Sequence, residues 1–77
     1  MKIEVTNKGR KETHEVDNYS TYDYDSRSER IFRYTDKKGN YCVITEEIEH
    51  FSWGDCTTAT LKRRCRHYHI SNVKIIN

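Results

Sequence analysis

Apolar and polar positions alternate every second residue at the start of the chain. KIEVT puts Ile3 and Val5 on one side and Lys2 and Glu4 on the other, the pattern of a half-buried strand. NKGR supplies a glycine-containing turn, and ETHEV alternates again through His14 and Val16, so this region reads as an N-terminal β-hairpin. The tract DNYSTYDYDSRSER is rich in turn formers and tyrosine. It reads as an irregular connection with a short extended piece at 22–25. RIFRYT and YCVIT, two runs of β-branched and aromatic residues around DKKGN, predict a second hairpin in which Gly39 can take a positive φ. YCVI is apolar at four consecutive positions, which predicts a central strand covered on both faces.

Thr45 stands where it can cap a single helical turn through Glu46, Glu47 and Ile48. HFSW then reads as a short strand ended by Gly54 and Asp55. Residues 57–70, TTATLKRRCRHYHI, alternate, and their threonines and bulky polar residues favour one long strand over a helix with Leu61, Cys65 and Tyr68 on a stripe. VKIIN closes the chain as a short strand. The expected fold is therefore a single all-β domain over 1–77. It is a small antiparallel sheet, strongly bent or rolled into a barrel, with at most one short helical turn.

Composition sharpens this picture. Of 77 residues, 34% are hydrophobic and 34% charged, so the core must be thin. Nine aromatics, six of them tyrosine, offset the scarcity of aliphatics, and a homodimer would add burial. The formal net charge of +2 says little, but its distribution says more. Lys62 to Ile70 carries four basic residues and no acid, whereas Asp23, Asp25, Glu46, Glu47 and Glu49 form acidic knots, which suggests two faces of opposite sign. MKIEVTNKGR lacks the apolar run of a signal peptide, and no segment approaches membrane-spanning length. Three cysteines are an odd number, so a cytoplasmic protein with reduced thiols is expected in preference to a Cys56–Cys65 disulfide, and no membrane partner is expected.

The densest chemistry is RRCRHYH at 63–69. On a strand, Cys65, His67 and His69 would share a face, which invites zinc. Same-face neighbours lie roughly 6.6 Å apart, however, so Cys65 and His69 would stand about 13 Å apart, too far for one ion. An adjacent pair would have to borrow Cys56, Cys42, His14 or His50, and no Cys-x-x-Cys anchor exists; the expectation is no metal and no cofactor. The opposite face would be a basic ribbon of Lys62, Arg64 and Arg66, with Tyr68 and His67 as stacking groups for nucleic acid; the plainer reading is a solvated charged face.

A protein-binding surface is the leading alternative. Tyr19, Tyr22 and Tyr24 beside Asp23 and Asp25 combine rigid contact area with carboxylates that can meet a partner's arginines. The plainer reading has those tyrosines covering a thin core. Trp53 with Phe51 reads as a core anchor, His14 and His50 as satisfied core-edge histidines, and Cys42 as a small buried hydrophobe. No local signature pairs a nucleophile with a base, so no catalytic residue is assigned and the protein reads as non-enzymatic.

The succession of IxVT, a glycine turn, DN with YDYD, and a hairpin around TDKKGN and ITEEI resembles small proteins of bacteriophages and mobile elements of Gram-positive bacteria. The resemblance covers about the first fifty residues and carries over no functional residue. It implies a small accessory protein, of the kind that inhibits a host defence such as restriction or CRISPR (an anti-CRISPR) by binding. The expected partner is a host protein or protein–nucleic acid complex, through Tyr19, Tyr22, Asp23, Tyr24, Asp25, Lys62, Arg64, Arg66 and Tyr68. Direct binding of nucleic acid by the basic strand 62–68 is the alternative.

Overall fold

The computed structural model describes residues 1–77 as eight strands and no helix. They are β1 (Lys2–Asn7), β2 (Arg10–Glu15), β3 (Asn18–Asp23), β4 (Arg27–Thr35), β5 (Tyr41–Phe51), β6 (Gly54–Arg63), β7 (Arg66–Ile70) and β8 (Asn72–Ile75). Every pairing is antiparallel, in two sheets ordered β2-β1-β8 and β3-β4-β5-β6-β7. The all-β expectation holds, but the strands neither form one sheet nor close into a barrel. The chain changes sheets twice, between Glu15 and Asn18 and again at Ser71, whose N–H donates to Thr6 O at 3.0 Å.

Both expected hairpins are present. Asn7 pairs with Arg10 around Lys8 and Gly9, at φ 51° and 78°, the doubly positive geometry that matches strand twist. In the loop between β4 and β5, Asp36 Oδ1 accepts the N–H groups of Lys38 and Asn40 at 2.9 and 2.8 Å, and Gly39 takes φ 84°.

Four readings are corrected. DNYSTYDYDSRSER is not an irregular connection: β3 and β4 pair from Asn18–Arg33 to Asp23–Ser28, so the turn lies at Asp25 and Ser26. Tyrosine, threonine and arginine tolerate a strand well, and the scattered Ser and Asp concealed it. No helical turn follows Thr45, because Thr45 to Phe51 continue β5, where pairing with both β4 and β6 outweighs a local cap. His50 and Phe51 end β5, and Ser52-Trp53 is the turn itself. Finally, YCVI is central but covered on one face only: Cys42 and Ile44 are buried, Tyr41 is exposed and Val43 is half-buried.

The most consequential correction concerns 57–70. The segment is extended but folds back: Arg63 pairs with Arg66, and Arg64 and Cys65 form a two-residue turn at φ 55° and 71°. Reversal puts Leu61 beside Tyr68 and Lys62 beside His67, so the continuous basic ribbon does not exist.

The inward positions of both sheets build the core: Ile3 and Val5 of β1, Phe32 and Tyr34 of β4, Cys42 and Ile44 of β5, Ala59 and Leu61 of β6, with Ile70 and Val73. Most of these are fully buried, so each large aliphatic or aromatic among them contributes about 1.5–3 kcal/mol. The three-stranded sheet lies over only one part of the larger one. The β3–β4 and β5–β6 hairpins run past it, giving extents of 42 × 26 × 24 Å. The radius of gyration of 12.7 Å exceeds the roughly 11.5 Å of a compact chain of this length, as two projecting hairpins require.

Candidate functional site

Register assigns each candidate residue to a face and an end. Arg27, the first residue of β4, pairs with Glu49 near the end of β5, and Phe51 pairs with Gly54 at the start of β6. The β3–β4 and β5–β6 turns therefore share one end of the large sheet. The Asp36–Asn40 loop and the Arg64-Cys65 turn lie at the other end, about 30 Å away along a ten-residue strand.

The first end is aromatic and acidic. Tyr22 and Tyr24 are each 49% exposed, Phe51 is 43% exposed and Trp53 is 75% exposed. Phe51 and Trp53 stack with centroids 4.9 Å apart and planes 4° from parallel, and Arg27 lies over the Tyr24 ring at 4.6 Å. Trp53 is thus no core anchor. It occupies a two-residue turn beyond the reach of the small sheet, so nothing covers it. Asp23, Asp25, Glu49 and Asp55 are exposed at the same end of the sheet, with Glu49 on the face of Phe51 and Asp55 on the face of His50. Glu29 and Glu47 stand directly opposite on neighbouring strands, an arrangement that costs stability and that Arg27, 3.6 Å from Glu29, only partly offsets.

His50 also departs from expectation. It is exposed, and Ser28 Oγ lies 3.0 Å from its Nε2 while Nδ1 donates to Asp55 Oδ1 at 2.9 Å. The order Ser–His–Asp is that of an acyl-transfer triad, which sequence could not show because the three residues come from three strands. Yet the Asp55 side chain is 59% exposed and the imidazole 43%, whereas such a triad needs a buried carboxylate to hold its imidazole. Neither the cavity lined by Tyr41 and Lys62 nor the one lined by Lys37 and Arg63 adjoins it. The trio ties β4, β5 and β6 together near the tip.

The candidates do not gather into one patch. Tyr22, Asp23, Tyr24 and Asp25 sit exposed at the aromatic end, but Tyr19 is half-buried, its ring 5.0 Å from Phe32. Lys62, Arg64 and Arg66 are exposed near the other end. Tyr68 is half-buried with Lys8 Nζ 5.6 Å from its ring. Cys65 sits in the turn while His67 and His69 lie on β7, and no group of three metal-ligating side chains comes together anywhere. Cys56 lies near the start of β6 and Cys65 in the turn beyond its end, some 20 Å or more apart, so they cannot pair within one chain.

Between the sheets lies a polar cluster that sequence reasoning missed. Arg63 Nη2 donates to Glu12 Oε1 at 3.0 Å, and its Nε is 3.2 Å from Asp36 Oδ2 and 3.4 Å from Cys42 Sγ. His14, as a core-edge histidine should, donates to Glu12 at 2.9 Å and stacks on Tyr34 with centroids 4.4 Å apart. Burial alone would raise the Glu12 carboxyl, but His14 and Arg63 together hold it below its ordinary range. Burial likewise opposes ionisation of Asp36, and the N–H groups of Asn40 and Lys38 with Arg63 reverse the sign. Burial pushes the Tyr34 phenol far above its usual value. The cluster joins β2 to the large sheet, a structural role.

No protein-family model, no curated protein and no solved structure matches this chain.

Proposed function

We propose that the protein is a small, non-enzymatic binding protein that docks its acidic, aromatic end onto a basic surface of a partner protein. It fits the phage-type accessory or inhibitor reading of the sequence, with a host defence or nucleic-acid-processing complex as the target. The observation that carries this is Trp53, 75% exposed and stacked on a half-exposed Phe51, at the same end of the sheet as the half-exposed Tyr22 and Tyr24. Four large aromatics in water at one end contribute little to this fold, whereas buried aromatics dominate binding energy at interfaces. The surrounding carboxylates select a partner rich in arginine or lysine, and the opposed Glu29 and Glu47 would be relieved by its cations.

A tagged pull-down from nuclease-treated host lysate tests it. A specific partner should be retained by the wild type and lost with Trp53→Ala, which weakens a central anchor at least thirtyfold, and with Glu49→Lys. Since Trp53 lies outside the core, folding stability should change by less than about 0.5 kcal/mol. Retention of the partner by both variants, or its loss on nuclease treatment, removes the reading.

A further inference from the structure

The other end of the large sheet presents exposed Lys62, Arg64 and Arg66. The register aligns Arg33, Val43, Lys62 and His67 in one row across β4, β5, β6 and β7, all facing away from the core. Strands lie about 4.8 Å apart, which spaces Arg33 and Lys62 by roughly 10 Å and Lys62 and His67 by roughly 5 Å. Two residues from Val43 on the same face stands Tyr41, 59% exposed. A cavity of about 380 Å³ opens there, with Val43 as floor and Tyr41, Lys62 and Arg64 among its walls, and no carboxylate lines it.

The state of the cations is the second observation. Arg27, Arg30 and Arg63 each have a carboxylate partner, but Arg33, Lys62 and Arg64 have none. A cavity with an exposed phenol ring, an aliphatic floor and two unpaired cations suits a ligand that joins a flat ring to a phosphate. Its volume is that of a small-ligand site. The row continues past the cavity to Arg33 and His67, which a lone nucleotide would not reach.

We infer that this face binds single-stranded nucleic acid, stacking one base on Tyr41 and holding flanking phosphates with Lys62, Arg64 and Arg33. An exposed ring can stack only on an unpaired base, so single strands are favoured over duplex. The binding residues are not those of a continuous basic strand: Tyr41 and Arg33 replace Arg66 and Tyr68, which the β6–β7 reversal turns to the other face.

Fluorescence anisotropy with labelled octa-uridylate, at several salt concentrations, provides the test. With three phosphate contacts, log affinity should fall with log salt at a slope of about −2. Tyr41→Ala should weaken binding at least fivefold while Tyr41→Phe retains it, the lower bound expected of one stacked base. Lys62→Gln should reduce the slope by about 0.7. Lys74→Gln, on the small sheet, should change neither, and uridine monophosphate should bind more weakly than the octamer. The inference is overturned by absence of binding, by equal affinity for duplex or for uridine monophosphate, or by Tyr41→Ala binding as the wild type does. Trp53→Ala should leave octamer affinity intact, so the two ends succeed or fail separately.

Discussion

Arg63 ties together three segments that are distant in sequence. One guanidinium meets Glu12 on β2, Asp36 in the β4–β5 loop and the Cys42 thiol on β5, and these contacts outweigh burial to raise its pKa further. Arg63→Met keeps the aliphatic volume but strands two carboxylates, of which the Asp36 side chain is 7% exposed. The expected loss is about 2–3 kcal/mol, read as a lower urea midpoint at unchanged slope. An unchanged midpoint would show that the cluster contributes nothing net. The same contacts set the pH response. Glu12 and Asp36 have folded-state pKa values below their unfolded ones, so their stabilisation is complete above the ordinary carboxylate range, about pH 4, and disappears as pH falls through the folded values. Wild-type protein should lose stability on acidification below about pH 4, and Arg63→Met should lose much less over that interval.

The β6–β7 hairpin explains both a misreading and a prediction. Its turn needs two residues at positive φ, a geometry that favours Asn-Gly, yet Arg64 and Cys65 occupy it. Without glycine or asparagine the reversal leaves no local signal, and the alternating pattern of 57–70 continues across it as though one strand ran through. Pairing of Leu61 with Tyr68 and Ala59 with Ile70 over the core compensates for the strained backbone. Cys65→Gly should therefore stabilise the protein by about 1 kcal/mol, raising the melting temperature by roughly 4–8 °C. A lower melting temperature would mean that Cys65 occupies this conformation without strain.

The whole molecule is elongated and electrically polar along its length. Asp23, Asp25, Glu29, Glu47, Glu49 and Asp55 cluster at one end, against Lys37, Lys38, Lys62, Arg64 and Arg66 at the other. A net charge of +2 conceals this separation. Opposite ends of two copies are complementary, and such a head-to-tail contact extends without closing. At about 10 mM ionic strength, where screening reaches roughly 30 Å, the sedimentation-average mass should rise with concentration. At about 150 mM it should fall to that of one chain, and Lys62→Glu with Arg64→Glu should abolish the low-salt rise. Association that persists at high salt would instead indicate apolar contact through Phe51 and Trp53.

Period-two alternation in KIEVT and ETHEV, with the β-branched and aromatic runs RIFRYT and YCVIT, was enough to make the chain all-β, because each of these strands carries its buried face in its own side chains. The glycine turns at Gly9 and Gly39 were legible for the same reason: the required conformation is written in one residue. The composition of the tyrosine–aspartate tract marked Tyr22, Asp23, Tyr24 and Asp25 as surface candidates. Where β6 reverses, which end receives Trp53, and that Glu12, Asp36 and Arg63 converge could not be read this way. Each depends on register between segments distant in sequence, and register is set by how inward side chains pack over a shared core, a property no single segment holds.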